Sequence, residues 1–253
     1  MSTENQPLLL SALSWPEVAA IRDQVELVLL PVGAIEQHGP NIALCMDSAA
    51  AEEFCKRASA RLYPRLLVAP AMPWGISHHH LNFPGSITLS PETFAQVLVE
   101  VVGSLVGHGF ERFLIVNGHG GNVPAMNVAA TRIREEFNPA FIGASTYFEF
   151  GDEPLTDHAG EGETSVALEL FPDMVKTGAL APGEETDLAT GFRETMRKFG
   201  VTAPFRFDEY TRNGAFGDAR EATRERGKAM IDSALDNFCG FVDELVANTP
   251  TQR

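Results

Sequence analysis

Four short apolar runs, at residues 25–32, 66–69, 112–116 and 141–148, alternate with longer segments of helical pattern. Runs this short and this uniformly apolar suit strands buried on both faces. Helix signals stand between them. Ser14-Trp15-Pro16-Glu17 sets a Ser N-cap before a Pro and an acid, and Ser90-Pro91-Glu92 repeats the device. After the second, Phe94, Leu98, Val101 and Leu105 form an apolar stripe that ends at Gly107 or Gly109. Further helices are predicted at 48–62, at 123–137, from the 158–165 stretch to about 170, near 191–199, and at 221–246. The last carries Met230, Ile231, Leu235, Phe238, Val242 and Leu245 on one face. Strand alternating with helix predicts an α/β protein with a mostly parallel sheet covered on both faces, over a single domain spanning 1–253.

In such sheets ligands sit beyond the carboxyl ends of the strands. Three polar clusters fall there. The first run empties into Leu30-Pro31-Val32-Gly33-Ala34-Ile35-Glu36-Gln37-His38-Gly39-Pro40, followed by Asp47. The third empties into Asn117-Gly118-His119-Gly120-Gly121-Asn122. The fourth leads to His158-Ala159-Gly160-Glu161-Gly162-Glu163-Thr164-Ser165. Side chains two apart in an extended segment face the same way, so Glu36 and His38 can address one point. Mixed oxygen and nitrogen donors suit divalent metals. Glu36, His38, Asp47, His119 and a carboxylate from Glu161 or Glu163 could form a two-metal centre bridged by Asp47. Such a centre activates water and polarises a carbonyl, which is the chemistry of amide hydrolysis. It requires His119 to lie within about 8 Å of Asp47, the reach of two adjacent ions.

Other polar residues carry weaker signals. His158, just before the second acidic cluster, fits a general acid for a leaving nitrogen or a neighbour of the metals. Glu163 also fits an acid in a helix's first turn, where the dipole favours it. His78-His79-His80 forms a short metal-like tract; His80 is expected at the substrate mouth, the alternative being a turn of exposed imidazoles. The Gly-rich turn around His119 lacks both the dinucleotide spacing and a Lys-Ser/Thr, so nucleotide binding is disfavoured. Cys45 is close enough to Asp47 to ligate but reads more simply as a buried side chain.

Composition bounds the rest. Hydrophobic residues at 44% and charged residues at 21% are ordinary for a globular chain. A net charge of −15 argues against nucleic acid and anionic membrane partners. Met1 to Pro7 shows no leader pattern. No apolar run reaches the ~20 residues needed to span a bilayer. The three cysteines match no zinc spacing, and a reducing cytoplasm is expected.

Pro-Val-Gly-Ala-Ile-Glu-Gln-His-Gly-Pro (31–40) with Asp47, Phe-Pro-Gly-Ser (83–86), Asn-Gly-His-Gly-Gly-Asn (117–122) and His-Ala-Gly-Glu-Gly-Glu-Thr-Ser (158–165) resemble the motifs of the creatininase family, in order. The stretch 217–223 is similar as well. The resemblance implies a three-layer α/β/α fold, a binuclear centre of Zn²⁺, Mn²⁺ or Fe²⁺, and a homo-oligomer, commonly a hexamer. It implies that Glu36 and His119 hold one ion, that His38 holds the other, that Asp47 bridges, and that His158 shuttles a proton. Creatininase has a metal-binding Glu where this chain has Gly121, and Glu161 is expected to replace it and to act with His158 in catalysis. It also has two tryptophans around its substrate, where this chain offers Phe148. The expected substrate-lining residues are His80, Phe148, Gly120 and Gly121. The resemblance favours a metal-dependent amidohydrolase acting on a non-peptide C–N bond of a small molecule, such as a cyclic amide or formamide. The alternatives are a peptidase of the mycofactocin-maturation type and a catalytically silent metal-binding scaffold. No Lys or Arg lies in 30–47 or 113–122, which disfavours a phosphorylated substrate.

Overall fold

A computed structural model describes residues 5–153 and 155–249. Most of the stretch read for a leader, and Pro154 of the loop at 151–157, lie outside the described residues. Five strands, β1 (Leu8–Leu9), β2 (Leu27–Val32), β3 (Leu66–Val68), β4 (Arg112–Asn117) and β5 (Phe141–Thr146), form a sheet in the order β1-β3-β2-β4-β5. All pairings are parallel. The helices are α1 (Trp15–Ile21), α2 (Met46–Arg61), α3 (Pro91–Gly107), α4 (Val123–Phe137), α5 (Glu161–Leu170), α6 (Asp187–Phe199), α7 (Phe207–Tyr210) and α8 (Arg224–Asn248).

Central β2 shows why the fold has three layers. All six of its residues are buried, and their side chains alternate between faces. Leu27 and Leu29 pack with Phe54 of α2, Val166 of α5 and Phe238 of α8. Val28 and Leu30 pack with Val99 and Val102 of α3 and Ile133 of α4. Val32 pairs with Asn117 across β2 and β4, so the loops beyond these two strands leave the sheet side by side. No helix among the described residues is long and apolar enough to cross a membrane.

The departures from sequence expectation have local causes. β1 is two residues long, too short to show a period. β5 ends at Thr146, and residues 147–150 form a helical turn. There Tyr147 and Phe150 swing against Phe54, with ring centroids 5.7 and 6.4 Å away. α8 begins at Arg224, capped by the Thr223 hydroxyl accepting from Arg226 N–H at 3.2 Å.

The departure that matters for the site is in α2. It begins at Met46, which puts Asp47 in the first turn, where the helix dipole favours a carboxylate. Two glycines permit this. A Cβ on Gly33 would fall on the backbone of Ser48, and one on Gly118 would fall on the Asp47 carbonyl. The start of α2 is thus pressed between the loops that follow β2 and β4.

Candidate metal centre

That wedge brings four segments to one point: the loop after β2, the first turn of α2, the turn after β4 and the start of α5. His38 Nε2 lies 3.1 Å from Asp47 Oδ1 and 3.8 Å from Glu163 Oε2. His119 Nδ1 lies 3.2 Å from Asp47 Oδ2 and 3.2 Å from Glu36 Oε1. The two carboxylate oxygens of Asp47 therefore face different imidazoles. The His119–Asp47 separation is well inside the limit set from sequence. All five side chains are buried.

The imidazoles are held in defined tautomers. His38 Nδ1–H donates to Glu36 O at 3.1 Å, His119 Nε2–H to Ile76 O at 3.0 Å, and His158 Nε2–H to Gln37 O at 2.8 Å. In each ring the other nitrogen faces the carboxylates, where it can ligate a metal once it carries no proton. A backbone carbonyl behind the ring is the usual support of a metal-ligating histidine. His158 Nδ1 stands 3.8 Å from Glu163 Oε2 and 4.0 Å from Glu36 Oε1.

A divalent cation fits these residues. Asp47 Oδ2 is buried and accepts no hydrogen bond among the described residues. Three buried carboxylates converge, and uncompensated buried charge is costly. Among the described residues three donor sets are compact enough to hold an ion: His38, Asp47 and Glu163; Glu36 with His119 and His79; and Glu36 with His38 and His158. With protons as the sole cations, the imidazoles carry the compensation. Burial alone would lower the pKa of His38, but Asp47 foremost among the carboxylates raises it to about 10. His119 is raised well above its ordinary value, against burial, chiefly by Glu36. Burial pushes Glu163 up to about 8. At pH 7 the metal-free protein therefore holds protons on His38, His119 and Glu163, all of which must leave when a metal ligates. Loading with Zn²⁺ at pH 7 is expected to release about two to three protons per chain, and affinity should rise with pH. Calorimetry in buffers of different ionisation enthalpy measures the count.

The structure divides the two acids that the sequence left open. Glu161 does not join the cluster: its carboxylate meets Arg226 Nε at 2.7 Å and accepts from the Ser165 hydroxyl at 3.2 Å. The expectation that Glu161 stands among the ligand and catalytic groups is corrected: the acid that joins the cluster is Glu163. α5 starts at Glu161, and residues two apart on a helix point about 200° apart. Glu163 faces inward, where its Oε2 also accepts from Ala159 N–H at 2.6 Å. Cys45 stays out of the cluster, its Sγ 3.7 Å from Met174 Sδ.

The cluster forms the floor of a cavity of about 650 Å³. His80, Phe148, Gly120 and Gly121 line it. His80 is buried; its Nδ1 accepts from Gln37 Nε2 at 2.9 Å, which leaves Nε2–H directed at Glu36 Oε1, 3.4 Å away. Several contributors were not singled out from sequence. Gln37 also donates to Gly214 O at 2.9 Å, tying three loops together. The Ser77 hydroxyl donates to Glu36 Oε2 at 2.7 Å, and Asn122 bonds Gly33 O and Ile76 N–H. Phe205, Phe207 and Phe216 form an aromatic wall. Gln37 and Asn122 lay inside the quoted motifs; the aromatic wall comes from a stretch of weak pattern and gave no signal.

Fold and site together define a three-layer α/β/α protein with a carboxylate–imidazole centre at its strand ends. The creatininase (creatinine amidohydrolase) family profile matches residues 11–242. The chain belongs to this family of hydrolases. It is 34% identical over 235 residues to the mycofactocin precursor peptide peptidase of Mycolicibacterium smegmatis, covering 90% of this chain and 89% of that one. It is 24% identical over 268 residues to the creatinine amidohydrolase of Pseudomonas putida, covering 95% and 98%. A crystal structure of creatininase superposes with a TM-score of 0.76 at 22% identity, covering 97% and 99%. A manganese form of creatininase and a zinc–zinc form of a creatininase variant share the fold, with TM-scores of 0.75 and 0.74.

Proposed function

We propose that this chain is a metal-dependent hydrolase that cleaves an amide bond near the end of a peptide. The observation that carries the hydrolase reading is Asp47 standing between His38 and His119, with one carboxylate oxygen toward each. Peptide is placed first because the sequence shares 34% identity with a peptidase and 24% with a creatinine amidohydrolase. A cavity of about 650 Å³ with an aromatic wall also has room well beyond a small cyclic amide. No Lys or Arg lines it among the described residues, which disfavours phosphorylated substrates.

Glu36, Asp47 and His119 would hold one ion, and His38, Asp47 and Glu163 the other, with Zn²⁺ or Mn²⁺ the expected metals and Fe²⁺ a third option. Divalent ions there supply Lewis acidity and a water acidic enough to ionise near neutral pH. The chain's own groups do the rest. His158, anchored through Nε2–H, offers Nδ1 to take up a proton and return it to the leaving nitrogen. His80 presents an N–H beside Glu36. Gly120 and Gly121 leave the floor free of side chains, and Phe148 with the other aromatics shapes the seat for the substrate. A cytoplasmic homo-oligomer, with a hexamer as the expected size, and one domain over 1–253 belong to the same proposal.

The second reading is hydrolysis of a non-peptide C–N bond, supported by the family's description. A panel of short peptides, cyclic amides and formamides separates the two. Activity on peptides, abolished by chelation and restored by Zn²⁺ or Mn²⁺, is expected. Two bound ions with no turnover on any panel would instead favour a silent scaffold. Within the site, Glu163→Gln should cost about one ion per chain by elemental analysis. Glu161→Ala should keep both; loss of an ion there would return Glu161 to the site.

A further inference from the structure

His79 is the one cluster imidazole that the proposed reaction leaves unused. Its ring lies almost parallel to that of His119, with centroids 5.6 Å apart and an angle of 12°. Phe205 and Phe207 flank it at 5.7 and 6.0 Å. A ring nitrogen of His79 comes within 4.8 Å of ligand atoms on both Glu36 and His119. The ring can lie there because residue 121 is glycine. A Cβ on Gly121 would stand 2.9 Å from His79 Cε1 and would overlap His119 Nε2. His38, His80, His119 and His158 each spend a ring nitrogen on a hydrogen bond. Among the described residues, His79 makes none.

Glu36, Asp47 and His119 offer three donor groups, one fewer than the four that close a tetrahedral site. We propose that His79 is a further ligand of the ion held by Glu36, Asp47 and His119, reaching it over the bare backbone of Gly121. The inference rests on the two-metal reading of the site. It makes the two positions unequal, one with two imidazoles and one with a single imidazole. The added imidazole also has no carbonyl behind it, so it is the ligand most readily displaced. His79 borders the cavity, so a substrate carbonyl would approach the ion from this side.

The test is metal binding in His79→Phe, which keeps a stacking ring and removes the donor. Elemental analysis and competition with a chromophoric chelator should show wild-type protein holding two ions. In His79→Phe one ion should be retained and the other bound about 10–100-fold more weakly, or lost. The visible spectrum of the Co²⁺-loaded protein should change in parallel. Two ions at wild-type affinity with an unchanged Co²⁺ spectrum would overturn the assignment. Should His79→Phe not fold, X-ray absorption on Zn-loaded wild-type protein counts the imidazoles: three across two ions supports the proposal, two sinks it. Wild-type protein that binds no metal would sink the two-metal reading itself, an outcome distinct from a loss confined to His79.

Discussion

Asp47→Asn is expected to empty both metal positions and to lower kcat/KM by about a thousandfold or more. The other ligands of each proposed set come from one side of the cluster: Glu36 and His119 for one ion, His38 and Glu163 for the other. Asp47 alone faces both imidazoles, at 3.1 and 3.2 Å. An amide of the same size keeps the shape of the first turn of α2 but carries no charge, and it presents only one oxygen. Metal catalysis lowers a hydrolysis barrier by several kcal/mol, and each 1.36 kcal/mol is about tenfold in rate. Elemental analysis, circular dichroism and initial rates on one preparation check the result. A folded Asp47→Asn protein that keeps two tightly bound ions would refute the bridging assignment.

His158→Ala separates proton transfer from metal binding. The ring sits 4.5 Å from that of His38, centroid to centroid, and 4.7 Å from Phe207. Burial first, and then the neighbouring His38, push its pKa well below the ordinary histidine range. It is therefore neutral at pH 7, with Nδ1 free to accept. Removing a general acid–base group typically costs 10²–10⁴-fold. A fall of about that size in kcat, with both ions retained and KM little changed, is the expected outcome. Loss of an ion in His158→Ala would mean that this imidazole ligates rather than relays.

Much of this site could be read from sequence, for a topological reason. Residues just beyond parallel strands must gather along one edge of the sheet, so Glu36, His38 and His119 follow once the strands are recognised. Asp47 also reaches the cluster, although it lies on a helix rather than a loop. Cys45 precedes α2 with no capping side-chain bond, so nothing in the sequence marked where that helix begins. Glu161 and Glu163 could not be told apart because their facing depends on which residue opens α5, and Gly160 and Gly162 blur that boundary. Hydrogen-bond hubs such as Gln37 reach residues up to 177 positions away. Long-range pairs of that kind have no local period to betray them, and the same holds for Phe205, Phe207 and Phe216.

The tight seating of α2 also sorts the molecule into parts that will and will not bear change. Gly33 and Gly118 touch main chain, which has nowhere to retreat, so even alanine there would prise the site open. At the rim, Phe205 and Phe207 meet ring to ring with centroids 5.6 Å apart, a contact between side chains that can be exchanged. Efforts to re-aim the enzyme at a new substrate should diversify that rim and leave the glycine hinges alone.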